Sequence, residues 1–340
     1  MSRRMVHDTA RLHALLGGLV LLLAGCVART PVGPPWVEVD GPWEHRFVDL
    51  PDRVDGGPLR MHYVVAGPED GDVVVLVHGF PDIGYGWRSV LPLLATDHRV
   101  YAPDLRGYGG TDRPATGYAF TEIVADLAAF LQAAPAADGR EGPVHLVGHD
   151  WGAATSWGLA MTQPELLRTL TVLSVPHPQA WADTLAEDKK QRRRASYQTS
   201  FAKPSFAKLL AGLGAGQVAG VYRSELVHKD ALSPADAQVY SDAFCALEDW
   251  DPPLRYYRER LANAESEAAA VSAAPPVAVP TLVLWGAQDG FLFAENAERS
   301  CTYVASDCAV TVIEDAGHFM HWEVADAIVA RWRTFTKDAP

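Results

Sequence analysis

Alternating apolar and polar positions define the first folded segment of the chain. Residues 44–50 and 59–66 alternate with a period of two, which predicts an antiparallel hairpin. Longer apolar runs follow, and continuous apolar character is typical of strands that are buried on both faces. These runs lie at residues 73–77, 99–102, 144–147, 170–173, 281–285 and 310–313.

Helical segments separate most of these predicted strands. They lie at residues 121–133, 153–162, 295–301 and 324–336. Alternating strands and helices predict the α/β class, with a mostly parallel sheet that carries helices on both faces.

The alternation stops between residues 176 and 280, after the sixth predicted strand. The pattern there is mostly helical, with many aromatic residues. We interpret residues 179–275 as a helical cap inserted into a core that residues 44–178 and 276–340 form. The alanine- and proline-rich stretch 262–280 returns the chain to the core, either as a mobile hinge or as an exposed helix.

The first 25 residues differ from the rest of the chain. Three arginines precede an apolar run at residues 12–24, which is too short to span a bilayer comfortably and is typical of an export signal. The run ends in Leu-Ala-Gly-Cys, which resembles the lipobox of bacterial lipoproteins. The resemblance implies a lipoprotein signal peptide over residues 1–25 and acylation of Cys26. A plain secretory signal with an incidental cysteine is the alternative.

Export changes what we expect of the mature protein. Residues 26–43 contain four prolines and are predicted to be a tether. A lipid on Cys26 would anchor the protein to a membrane of the bacterial cell envelope. Export also permits disulfides, so Cys301 and Cys308 either form a bridge or remain two buried thiols. No cysteine has metal-ligand spacing with histidines, so we expect no metal.

Composition narrows the range of partners. The 340 residues are 48% hydrophobic and 21% charged, which suits a globular protein with a sizeable core. The net charge of −13 would repel phosphate groups, so we do not expect a nucleic-acid partner.

Asp150 stands at the centre of a predicted strand-to-helix turn. In GHDWG at residues 148–152, a glycine lies two positions to each side of the aspartate, which is the spacing of a nucleophile elbow. An aspartate has a pKa of about 3.9 in model peptides, so its carboxylate can attack a saturated carbon without a base. Water can cleave the resulting ester, whereas a serine would give an ether. The alternative role of Asp150 is that of a helix cap.

Several further blocks of residues join the elbow. Together with it they are HGFP at 78–81, DLRGYG at 104–109, GHDWG at 148–152, YQ at 197–198, YYR at 256–258, WGAQD at 285–289 and AGHF at 316–319. This set of blocks resembles the epoxide hydrolases of the α/β-hydrolase fold. The resemblance covers about residues 44–338, and several blocks are far more specific than an elbow alone.

The resemblance implies that His318, after the last strand, activates water, a task that suits an imidazole with a pKa near neutrality. Relatives place the acid that orients this histidine after the sixth or the seventh strand. Only the seventh ends in a carboxylate, so we assign Asp289 to this role. Asp315 is interpreted as a turn residue, and His321 as a residue on a helix surface.

Two further groups of residues complete the implied site. The N–H groups of Phe80 and Trp151 would hold the oxyanion that forms when water attacks the ester. An opening epoxide develops an alkoxide, which a neutral phenol can protonate. The resemblance implies Tyr197 and Tyr257 from the cap, although an error of one position would exchange Tyr257 with Tyr256. His78 is interpreted as a structural residue of the oxyanion loop.

These implied roles predict the hydrolysis of a small hydrophobic epoxide to a vicinal diol through an aspartyl ester, without a cofactor. A haloalkane dehalogenase shares the Asp-His-Asp triad and is the main alternative. A dehalogenase needs side-chain N–H donors to hold the departing halide. Phe80 occupies the loop position where such a donor usually lies, which disfavours this alternative. A lipoprotein that only binds a hydrophobic ligand would not need a nucleophile, a base and an orienting acid together. The missing elbow serine disfavours an esterase.

Overall fold

The computed structural model describes residues 38–54, 57–213, 216–245 and 250–337. The predicted signal peptide, Cys26 and most of the predicted tether lie outside these residues. The strands in the described part are β1 (Glu44–Val54), β2 (Gly57–Ala66), β3 (Asp72–Val77), β4 (His98–Pro103), β5 (Val144–His149), β6 (Leu167–Leu173), β7 (Thr281–Gly286) and β8 (Cys308–Ile313).

The strands form one sheet in the order β1-β2-β4-β3-β5-β6-β7-β8. β2 pairs antiparallel with β1 and with β4, and the remaining neighbours pair in parallel. The predicted hairpin and the predicted mostly parallel sheet are therefore confirmed. In a parallel sheet the carboxyl ends of neighbouring strands meet at one edge, which is where this fold class binds ligands.

The helices that precede β6 are α1 (Leu91–Leu94), α2 (Phe120–Ala137) and α3 (Trp151–Thr162). Those between β6 and β7 are α4 (Pro178–Glu187), α5 (Lys189–Arg194), α6 (Tyr197–Phe201), α7 (Pro204–Leu213), α8 (Gly216–Glu225), α9 (Pro234–Cys245), α10 (Asp251–Ala262) and α11 (Ala264–Ala273). After β7 come α12 (Glu295–Cys301), α13 (Met320–Glu323) and α14 (Ala325–Lys337). Short 3₁₀ turns occupy Gly84–Ser89, Pro164–Leu166 and Lys229–Ala231.

Both faces of the sheet are buried, as continuous apolar strands require. On β3, Val75 and Val77 belong to the apolar cluster that contains α2 and α3 residues. Val74 and Leu76 point the other way and pack in the cluster that contains Trp87 and Trp332. Among the described helices only α2 is long and apolar enough to cross a membrane, but half of it is buried in this core.

The last strand is less buried than its apolar run predicts. β8 is an edge strand that pairs only with β7, so its residues are half-buried, and Val312 is exposed. Next to it, a disulfide joins Cys301 at the end of α12 to Cys308 at the start of β8. The two interpretations left open for these cysteines are thus decided in favour of the bridge.

The helices between β6 and β7 lie against the carboxyl edge of the core, and hydrogen bonds connect the two. The Tyr222 hydroxyl donates to the Pro81 carbonyl, and the Tyr85 hydroxyl donates to Asp236 Oδ1 at 2.7 Å. The alanine-rich stretch that leads the chain back to the core contains an exposed helix, α11, in which no residue is buried. This observation favours the exposed helix over the mobile hinge.

Candidate active site

Asp150 is held above the carboxyl end of β5 in a backbone conformation that residues other than glycine rarely adopt. Its φ and ψ angles are 49° and −120°, and such conformations cost about 1–3 kcal/mol. The flanking glycines make the turn possible, because a Cβ on Gly148 would lie 2.6 Å from the Gly152 carbonyl oxygen. A Cβ on Gly152 would lie 2.1 Å from the Val77 oxygen. α3 begins directly after the aspartate, at Trp151, slightly earlier than predicted.

The two carboxylate oxygens of Asp150 occupy different environments. Oδ1 accepts a hydrogen bond of 2.7 Å from the Phe80 backbone N–H. Gly79 allows this approach, since a Cβ there would lie 2.4 Å from Oδ1 and 2.6 Å from the Trp151 nitrogen. Oδ2 faces His318, with 3.7 Å between it and Nε2. One oxygen is therefore fixed on the Phe80 N–H, one of the two predicted oxyanion-hole donors, and the other faces the predicted base.

The structure brings Asp289 to His318. His318 Nδ1 lies 2.8 Å from Asp289 Oδ2, and Asp289 Oδ1 accepts N–H groups from Phe291 and Leu292 at 2.7 and 2.9 Å. These contacts fix the carboxylate and so hold the imidazole with Nε2 towards Asp150. Asp315 instead lies at the surface with His228, which fits its interpretation as a turn residue.

The charges of the three residues support one another. Burial alone would raise the pKa of Asp150, but its interaction with His318 and the Phe80 N–H outweighs burial and lowers that pKa below its usual value. Burial alone would lower the pKa of His318, but Asp289 and Asp150 raise it to about 10. At neutral pH the site therefore holds an ionised Asp150 beside an imidazolium.

Tyr197 and Tyr257 lie on the cap side of the same site. The Tyr257 ring packs 5.1 Å from the Trp151 ring and 5.6 Å from the Phe80 ring, measured between centroids. Tyr197 packs against Phe291, whose ring lies 5.0 Å from the His318 ring. Burial and the charge of Asp150 raise the pKa of both phenols above the usual value, so both stay protonated.

Tyr256, the neighbour that the sequence left as an alternative, points elsewhere. Its hydroxyl donates to the Arg106 carbonyl at 2.8 Å, and its ring packs against Tyr108 and Tyr118 in the core. Of the two adjacent tyrosines, Tyr257 thus contacts the rings of both Phe80 and Trp151, whereas Tyr256 has its hydroxyl on the Arg106 carbonyl in a buried structural position.

Comparisons with known proteins agree with this geometry. The family model for the alpha/beta hydrolase fold matches residues 72–325. Epoxide hydrolase 2 of Caenorhabditis elegans is 34% identical over 289 residues, which cover 82% of this chain and 76% of the relative. Epoxide hydrolase 4 of Mus musculus is 30% identical, over 84% of this chain and 79% of the relative. The chain belongs to the epoxide hydrolase family.

Solved structures of other proteins show the same architecture. Cfl2 from Burkholderia cenocepacia superposes with a TM-score of 0.75 at 26% identity, covering 89% of this chain and all of that one. Epoxide Hydrolase A from Mycobacterium thermoresistibile gives a TM-score of 0.70 at 25% identity, covering 88% and 99% of the two chains.

The prediction that His321 lies on a helix surface is wrong, because this member of the epoxide hydrolase family buries that residue completely. The chain folds back after His318 through the short α13, which packs on the turn Gly84–Ser89. His321 Nε2 lies 3.2 Å from Asp82 Oδ2, and its ring lies 4.8 Å from the Trp87 ring. Helical spacing from His318 gave no sign of this, since burial here depends on a distant loop.

His149 is a supporting residue that sequence reasoning missed. Its Nε2 donates a hydrogen bond of 2.9 Å to the His318 carbonyl, and its ring lies 4.3 Å from the His321 ring. From the end of β5 it therefore holds the backbone of the loop that carries His318. The predicted structural role of His78 fits its contacts: Nδ1 donates to the Gly79 carbonyl, and Nε2 accepts the Leu105 N–H at 3.0 Å.

Proposed function

We propose that this enzyme of the epoxide hydrolase family converts a small hydrophobic epoxide to a vicinal diol through an ester on Asp150. One observation carries the proposal: a single carboxylate has one oxygen on the Phe80 N–H and the other facing the His318–Asp289 pair. A carboxylate that served only as a helix cap would not require this surrounding machinery.

The first half-reaction forms the ester. Asp150 Oδ2 attacks an oxirane carbon while Oδ1 stays on the Phe80 N–H, so the carbon–oxygen bond of the epoxide breaks. Tyr197 and Tyr257 hydrogen-bond the departing oxygen, and one of them gives it a proton. The His318 imidazolium then gives a proton to the deprotonated phenol, which leaves His318 neutral.

The second half-reaction hydrolyses the ester. Alkylation removes the charge of Asp150, one of the two carboxylates that keep the pKa of His318 near 10, so the neutral imidazole becomes accessible at working pH. His318 then takes a proton from water as the water oxygen attacks Asp150 Cγ. Oδ1 already lies on the Phe80 N–H, where the oxyanion develops. Collapse breaks the bond between Cγ and the alkyl-bearing oxygen, and His318 returns its proton to that alkoxide to give the diol. Asp150, now a neutral acid, then transfers its proton to His318, which restores the starting charges.

Conservative tyrosine variants test the roles of the phenols. Tyr257→Phe and Tyr197→Phe should each slow ester formation by about 10²-fold, because the alkoxide loses a proton donor. Tyr256→Phe is the matched control: it should lose about 1 kcal/mol of stability with the Arg106 carbonyl bond but keep the alkylation rate. Rapid-quench mass spectrometry of the ester gives the rates. Slow alkylation in Tyr256→Phe with a normal rate in Tyr257→Phe would reverse the assignment.

The rival activity, haloalkane dehalogenation, gains no support from the cap side of the site. A halide leaves without a proton and needs N–H donors, whereas the helices between β6 and β7 bring the phenols Tyr197 and Tyr257 within electrostatic reach of Asp150. Release of halide from haloalkanes, with no diol from epoxides, would reverse this choice.

We also propose that the chain is exported and anchored to a bacterial envelope membrane by a lipid on Cys26. The lipobox-like sequence is the main support, and the Cys301–Cys308 disulfide is consistent with an oxidising compartment. In bacteria that express the full chain, Cys26→Ala should move the protein from the membrane to the soluble fraction without loss of diol formation. The anchor would be refuted if Cys26→Ala remained in the membrane fraction like the wild type and if intact-mass analysis found no lipid attached to the protein.

A further inference from the structure

Gln191 is the one buried residue of α5, a short helix whose other residues are all lysine or arginine. Its side chain is fully buried, whereas most of the cations around it are exposed. Burying an amide is unfavourable unless hydrogen bonds replace those that water made. The partners of this amide therefore show what the helix is attached to.

The Gln191 amide is bonded to the loop that follows β7. Its Nε2 donates to the Phe291 carbonyl at 3.0 Å, and its Oε1 accepts the Phe293 N–H at 2.8 Å. Oε1 also lies 3.4 Å from Asn296 Nδ2, which donates to the Phe293 carbonyl at 2.8 Å. Donors converge on the oxygen and an acceptor meets the nitrogen, so only one orientation of the amide satisfies these partners. One side chain of the cap thus holds the backbone on both sides of Leu292.

This loop fixes the acid of the catalytic pair. Asp289 Oδ1 accepts the N–H groups of Phe291 and Leu292 at 2.7 and 2.9 Å, and its Oδ2 lies 2.8 Å from His318 Nδ1. Gln191 holds the carbonyl of the same Phe291 whose N–H holds the carboxylate. A shift of this backbone would therefore move the carboxylate and weaken its contact with the imidazole.

The loop also carries a ring that contacts both the base and a cap phenol. The Phe291 ring lies 5.0 Å from the His318 ring and 5.3 Å from the Tyr197 ring, measured between centroids. Tyr197 follows Gln191 in the same cap segment, where the Ala195 N–H donates to the Gln191 carbonyl at 2.8 Å. Gln191 therefore joins the cap segment that supplies a phenol to the core loop that supports the acid.

We propose that Gln191 is a positioning residue, which holds Asp289 against His318 and so supports hydrolysis of the ester on Asp150. The inference rests on the proposed function and adds a cap residue to a pair that the core supplies. Asp289 orients the imidazole that takes a proton from water. A misplacement of about 1 Å at such a group can cost about 10²-fold in rate. Gln191 acts on the reaction only through the loop.

The test replaces Gln191 with methionine, which has a similar length but no amide. Gln191→Met should slow ester hydrolysis by about 10- to 100-fold, because the Asp289 carboxylate is held less firmly. Ester formation should change much less, since the bond between Asp150 and the Phe80 N–H does not involve this loop. Single-turnover rapid-quench mass spectrometry gives both rates. Gln238→Met, which removes an exposed amide of α9, is the matched control and should keep both.

The pH dependence separates positioning from a general loss of structure. His318 must be neutral to take a proton from water, so ester hydrolysis slows as the pH falls below the pKa of this imidazole. Asp289 raises that pKa, so a carboxylate that is held less firmly should raise it less. The fall in hydrolysis rate should therefore begin at a lower pH in Gln191→Met than in the wild type. A variant that was only less well folded would lose rate at every pH and keep the wild-type midpoint.

A conservative variant completes the test and serves also if Gln191→Met does not fold. The carboxylate of Gln191→Glu still accepts the Phe293 N–H but cannot donate to the Phe291 carbonyl, so its ester hydrolysis rate should lie between those of the wild type and Gln191→Met.

The outcomes separate this inference from the proposed function. A wild-type rate of ester hydrolysis in either folded variant would overturn the role of Gln191 and leave epoxide hydrolysis intact, as would slower hydrolysis in Gln191→Met with an unchanged pH midpoint. Absence of any ester in the wild type would instead overturn the proposed function, and this inference with it.

Discussion

Replacing His318 with glutamine is expected to stop the enzyme after its first half-reaction. Glutamine keeps a polar side chain of similar reach but cannot accept a proton from water. Asp150 would still attack the epoxide, and the ester would then accumulate, because general-base catalysis contributes about 10²- to 10⁴-fold to such a step. Intact-protein mass spectrometry should show one added epoxide mass per chain, and steady-state diol formation should fall by a similar factor.

The result of this variant also tests the division of labour between the two half-reactions. His228→Gln removes a histidine at the surface near Asp315 and should leave turnover and ester levels unchanged. His318 lowers the pKa of Asp150, so the pKa of this buried carboxylate should be higher in His318→Gln. As the pH is lowered, the alkylation rate of this variant should therefore begin to fall at a higher pH than that of the wild type. Loss of diol without any trapped ester at neutral or alkaline pH would contradict the assignment.

Replacing Asp150 with alanine should remove both the ester and the diol. Within the part of the chain that the structure describes, Asp150 alone accepts the Phe80 N–H, so we expect a loss of at least about 10⁴-fold, in line with the removal of a covalent nucleophile in other enzymes. The measurement is the initial rate of diol formation together with the intact mass after incubation with the epoxide. Unlike the His318 variant, this protein should carry no adduct.

A matched carboxylate gives the control for this change. Asp315→Ala removes an exposed acid and should keep wild-type activity. Circular dichroism and thermal unfolding would show that the Asp150 variant remains folded. Substantial diol formation by a folded Asp150→Ala protein would mean that water attacks the epoxide directly, and it would also revive the interpretation of this aspartate as a helix cap.

Local spacing made much of the site predictable. The elbow around Asp150 needs two glycines because backbone segments pack against both, and such a need leaves a pattern in five consecutive residues. Asp289 was predictable because it follows the end of β7, where a parallel sheet exposes side chains. The tyrosine assignment depended on resemblance, since Tyr256 and Tyr257 differ only in which face of α10 they occupy.

Other features depended on contacts that the sequence does not display. His321 appeared to lie on a helix surface because spacing cannot reveal that a loop around Trp87 covers it. β8 was expected to be buried because an apolar run does not show whether a strand has one neighbour or two.

The formation of a covalent ester on Asp150 is the central claim, and a single turnover in ¹⁸O-labelled water tests it most directly. With enzyme in excess over an epoxide, the account predicts that the labelled oxygen enters the Asp150 carboxylate, which peptide mass spectrometry would detect, and that the first diol carries none. Label in the diol after one turnover, with an unlabelled Asp150 peptide, would contradict the account.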